Sequence, residues 1–128
     1  FNRVHGPVFE PGFKVYEPNN DAIAALKSER KHLSFKCVMG FWCEDSQVYT
    51  PYFFKIMDEA KIDEDDYKVF AVNEEKQAAF VGFNALNISY VPTIIMYYDK
   101  KEIGRVVELP EKSLEEDLAK KLNDYLNP

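Results

Sequence analysis

Short apolar runs alternate with helix-periodic segments along this chain, and that alternation restricts the fold more than any other feature. Residues 33–41 are apolar and bounded by polar sequence, which reads as a buried strand. Before it, Asn20 or Asp21 can cap a helix running to about Lys31, with Ala22, Ile23 and Leu26 turned inward. After it, Tyr52, Phe53, Ile56, Met57 and Ala60 mark one face of a helix over 44–60, with Pro51 inside predicting a kink. Residues 67–72 read as a second strand, about 74–83 as a helix or helical turn, and 93–98 as a third strand. The turn Asp99-Lys100-Lys101 leads back into a fourth strand over 102–109, so an antiparallel hairpin is expected. Ser113 and Glu116 form a capping-box pattern opening a last helix, with Leu114, Leu118, Leu122 and Tyr125 on one face. The order predicts an α/β fold: a central mixed sheet, mostly parallel with a C-terminal antiparallel hairpin, flanked by helices on both faces. Residues 1–19, rich in Pro, Gly and aromatics, read as an irregular N-terminal arm with a short strand near 13–16, and residues 20–128 as the domain.

A length of 128 residues suits one domain with one substantial core. The net charge of −6 and the lack of a Lys/Arg stripe speak against nucleic acid and against an acidic membrane surface. No apolar run approaches the roughly 20 residues of a membrane span. His5 and His32 are far apart, the cysteines number two, and no Gly-rich phosphate loop occurs, so neither metal nor cofactor is expected. The chain begins at Phe1; a cytoplasmic setting is the expectation, and an exported, processed origin stays open.

Cys43 falls between the end of a predicted strand and the start of a predicted helix. A sulfur there faces the unpaired N–H groups and the positive end of the helix dipole, which favour a thiolate, the reactive form of cysteine. Glu44 and Asp45 occupy the first turn; they suit the helix but oppose further negative charge beside them.

Phe41-Trp42-Cys43-Glu44-Asp45-Ser46 resembles the Trp-Cys-x-x-Cys motif of the thioredoxin family. Pro51, eight residues after Cys43, resembles the family's active-site helix proline, and Val91-Pro92-Thr93 its cis-proline loop ahead of a strand. The resemblance covers roughly residues 20–126. It implies a thioredoxin fold, a catalytic role for Cys43 with Trp42 and Ser46, and a cis peptide before Pro92. It also implies that Val91, Pro92 and Thr93 bind an extended substrate peptide by strand addition, with the Val91 backbone exposed beside Cys43.

The departures shape the function. Ser46 stands where the family has its second cysteine, so no internal disulfide can form within the motif. Its hydroxyl is expected either to donate to the Cys43 sulfur or to help cap the helix. Cys37 stands where the family holds a buried aspartate; it reads as an apolar filler, with a role as a secondary, resolving thiol as the sharper option. The expected function is a monothiol disulfide oxidoreductase or isomerase of thioredoxin type, serving redox homeostasis. Its partners are protein or peptide disulfides and thiols, with an external reductant thiol. The alternative is a redox-inactive module of the same fold that binds a peptide or protein.

Overall fold

The computed structural model describes residues 17–40, 43–72 and 86–128. The expected arm strand near 13–16 and the helix over 74–83 lie outside the described residues.

Helix α1 spans Asn20–Ser28. Its cap is Asn19, one residue before the expected pair, whose Oδ1 accepts the Ala22 N–H at 3.0 Å. The helix stops three residues short of the expected Lys31. The N–H groups of Glu29 and Arg30 reach back only three residues, to Leu26 and Lys27, and tighten the chain into a turn. Strand β1 covers Leu33–Met39 and helix α2 covers Glu44–Glu59, running on past the buried Pro51. A single 3₁₀ turn, Glu64–Asp66, leads into β2, Tyr67–Ala71. Strands β3, Thr93–Tyr98, and β4, Lys101–Val107, form the expected hairpin. Asp99 and Lys100 make its turn, both at positive φ (49° and 71°), the geometry a two-residue hairpin requires. Helix α3, Leu114–Leu126, opens with Ser113 Oγ accepting the Glu116 N–H while donating to the Glu116 carboxylate.

The sheet order is β2-β1-β3-β4. The sheet is mixed, as expected, but among the described strands it is not mostly parallel. Among the described strands β1 and β2 run parallel, whereas β1–β3 and β3–β4 are antiparallel. The register gives the reason. Val38, near the end of β1, lies opposite both Phe70 near the end of β2 and Thr93 at the start of β3. A strand that starts at the end where its neighbours finish must run the other way.

Alternate side chains of β1, Leu33, Phe35, Cys37 and Met39, join Ile94, Met96 and Val106 on one face of the sheet. They share one apolar cluster with Leu26 of α1, Phe53 and Met57 of α2, and Leu118 and Leu122 of α3. Burying such side chains is worth roughly 1.5–3 kcal/mol each and is the main force holding sheet and helices together. A smaller cluster of Val38, Val72 and Val91 forms on the other face, with Cys43, Phe70, Leu86 and Ile88 packed against it. That second cluster brings the loop before β3 up to the start of α2.

Candidate functional site

Met39 ends β1, Gly40 follows, and Cys43 is the N-cap of α2. The Cys43 backbone is extended, its N–H donates to the Gly40 carbonyl at 3.1 Å, and its carbonyl accepts the Gln47 N–H at 3.1 Å. The backbone thus closes the first helical bond, while the side chain makes no capping bond. The sulfur sits at the positive end of the helix and is not used up there. Instead it donates to the Val91 carbonyl at 3.6 Å, a contact of sulfur length. Cys43 is half-buried.

The three residues of the proline loop are placed together. The Val91–Pro92 peptide is cis. Thr93 Oγ1 donates to the Tyr90 carbonyl at 2.6 Å, and the Glu108 N–H donates to the Pro92 carbonyl at 2.7 Å. Val91 does lie beside Cys43, but it is not exposed: only 6% of its surface is open, because its side chain packs on Val38 and Val72. Open surface falls on the preceding residue, Tyr90, at 57%. Glu108, next to Pro92, has a positive φ of 60°.

Ser46 is fully buried in the first turn of α2. Its Oγ accepts the Gly40 N–H at 3.1 Å. The hydroxyl therefore binds the backbone just before the motif, a partner that sequence spacing does not suggest. Gly40 is tied on both sides, its N–H by Ser46 and its carbonyl by Cys43.

Cys37 lies in mid-strand, fully buried, opposite Val69 and Ile94. Burial pushes its thiol from the ordinary 9.0 up to about 12, with a small opposing effect from the Thr50 hydroxyl. That approach falls short of a well-formed hydrogen bond, for the buried Thr50 Oγ1 has no hydrogen-bond partner. Cys37 is free of any disulfide, as is Cys43. Trp42 lies outside the described residues.

Sequence reasoning missed three contributors: Gly40, Thr50 and Arg105. Arg105 of β4 donates Nη1 to the carbonyls of Leu86 and Asn87, at 3.0 and 3.4 Å, at the start of the loop that ends at Val91. A lone arginine on a polar strand gives no sequence signal for such a reach. Among the described residues no group of three or more His, Cys, Asp or Glu side chains could hold a metal, and no helix is long and apolar enough to cross a membrane. His32 pairs with Asp99 at 2.8 Å at the opposite end of β1 from Cys43.

No family model matches this sequence, and no curated protein matches it. Solved structures do. One is a chain from work on the thiol-resolving mechanism of the yeast mitochondrial 1-Cys peroxiredoxin via the glutathione/thioredoxin systems. It is 14% identical, with 85% of this chain and 92% of that one covered and a TM-score of 0.50. Thioredoxin f2 of Chlamydomonas reinhardtii is 20% identical, with 82% and 89% covered and a TM-score of 0.49. Thioredoxin O2 of Arabidopsis thaliana, in its oxidised state, is 16% identical, with 80% and 81% covered and a TM-score of 0.46. At such identities the shared property is the path of the backbone, and with its four-strand mixed sheet and flanking helices the chain has the thioredoxin fold.

Proposed function

We propose that this protein is a monothiol disulfide oxidoreductase or isomerase in which Cys43 is the reacting group. The observation that carries the reading is the placement of Cys43: at the N-terminus of α2, half-exposed, uncommitted to capping, and 3.6 Å from the Val91 carbonyl. The Cys43 thiolate attacks one sulfur of a substrate disulfide. A Cys43–substrate disulfide forms and the other substrate sulfur leaves as a thiolate. A second thiolate, from an external thiol or from the substrate itself, then attacks the substrate sulfur and expels Cys43 as thiolate. An external thiol gives net exchange; a substrate thiol gives isomerisation. Cys37 does not serve as the resolving thiol in this scheme, because it is fully buried and holds its proton up to about pH 12. Val91, Pro92 and Thr93 back the sulfur from within, and the surface open to a substrate segment falls on Tyr90. In this reading residues 20–128 are the working domain, joined by Asn19, which caps α1 and bonds Glu115.

The test is to mix the protein with an aromatic disulfide reagent and then with glutathione. Mixed-disulfide formation at Cys43, release by glutathione, loss in Cys43→Ser and retention in Cys37→Ser are the expected results. A folded protein whose Cys43 forms no mixed disulfide overturns the reading and leaves a binding module on the same fold.

A further inference from the structure

The segment from Leu86 to Pro92 is fastened to the β4 side of the sheet at two places. At its far end the Glu108 N–H, just past β4, holds the Pro92 carbonyl at 2.7 Å. At its near end Arg105 holds the Leu86 and Asn87 carbonyls. The guanidinium is itself aimed by a two-point pair with Glu102: Nε to Oε2 at 2.7 Å and Nη2 to Oε1 at 2.8 Å. The Glu102 contact raises the Arg105 pKa further, and Arg105 keeps only 25% of its side chain open. Between the two fastenings Leu86, Ile88 and Val91 pack in one cluster with Cys43. Asn87 takes φ 55°, a left-handed bend right at the carbonyl that Arg105 holds.

We propose that Arg105 is a positioning residue for the Cys43 site: its guanidinium, fixed by Glu102, holds the Leu86–Asn87 backbone and thereby sets the Val91 carbonyl against the Cys43 sulfur. Only arginine suits the task. Its planar fork places two N–H groups on one carboxylate and leaves a third for carbonyls on the other side, whereas a lysine ammonium offers a point charge without that division. The chemical consequence rests on Cys43 being the reacting thiol. The Val91 carbonyl accepts the thiol proton and has nothing to offer a thiolate. Fixing the loop therefore keeps the sulfur tied to that carbonyl, and releasing it frees the sulfur to react.

The test compares Arg105→Met, which keeps the apolar stem, and Arg105→Lys with the parent protein. Three quantities are measured: the pH–rate profile of Cys43 alkylation, hydrogen exchange at the Glu108 amide, and the urea unfolding midpoint. In Arg105→Met alkylation is expected to be faster at each pH and the Glu108 amide to exchange about tenfold faster, the equivalent of one lost hydrogen bond. Arg105→Lys should fail to rescue either. A lower unfolding midpoint with profile and exchange as in the parent makes Arg105 merely structural and overturns the proposal; so does no change at all. If Cys43 of the parent does not react with the alkylating reagent, the oxidoreductase reading falls, and Glu108 exchange alone decides for or against Arg105. If Arg105→Met does not fold, Arg105→Lys decides by the same readouts.

Discussion

Ser46, the buried residue of the first turn of α2, accepts the Gly40 N–H on its Oγ at 3.1 Å. Because the Gly40 carbonyl in turn takes the Cys43 N–H, one residue holds the segment that carries the sulfur. The Ser46 hydroxyl thus serves the backbone, as an acceptor.

Replacing Ser46 with Ala leaves the buried Gly40 N–H without its partner. The expected cost is about 1–3 kcal/mol, the penalty for an unmade buried hydrogen bond. Urea unfolding of Ser46→Ala against the parent measures it. A loss well under 0.5 kcal/mol would mean that Gly40 finds another acceptor and that the bracket does not hold the motif.

Glu108 occupies the left-handed region at φ 60°, where a side chain costs roughly 1–2 kcal/mol relative to glycine's freedom. Glycine loses part of that advantage through its more mobile unfolded chain, about 0.5–1 kcal/mol. Glu108→Gly is therefore expected to stabilise the protein by roughly 0.5–1 kcal/mol, while Glu108→Ala, which keeps the strain, gives no such gain. Thermal unfolding of the two variants side by side separates them. Equal midpoints would remove backbone strain as a property of this position.

Local signals carried much of this fold, and tertiary contacts decided the rest. The strand-to-helix junction at Cys43 was legible because a short apolar run abuts a helical period. The α3 start was legible because Ser113 and Glu116 satisfy each other over three residues. The cap of α1 was not: Asn19, Asn20 and Asp21 can all cap, and the choice is tied to the Asn19 N–H meeting the Glu115 carboxylate at 2.8 Å, 96 residues away. The direction of β3 was hidden as well, since an apolar run has no polarity of its own and its sense comes from pairing with β1. In the site, Cys43 and its neighbour loop were found by motif. The reach of Arg105 back to Leu86 follows from strand register and leaves no pattern in the sequence.

Cys37 offers a stability test that needs no substrate. Burial raises its thiol from 9.0 to about 12 in the folded protein. Below pH 9 both folded and unfolded chains keep the proton, so the site contributes no pH dependence. Between pH 9 and 12 the unfolded thiol ionises while the folded one cannot, and stability falls by up to about 1.4 kcal/mol per pH unit. Tyr67, whose hydroxyl is also pushed up by burial and by Glu64, Asp58 and Asp63, adds to the slope in the same direction. Comparing the parent with Cys37→Ala isolates the thiol, because Tyr67 is common to both. Urea unfolding from pH 8 to pH 11 should show the parent losing stability more steeply than Cys37→Ala above pH 9, with parallel behaviour below it. Parallel curves throughout would mean that the thiol ionises as freely in the folded chain as in the unfolded one. The exclusion of Cys37 as a resolving thiol on the ground of its buried, protonated state would then fall.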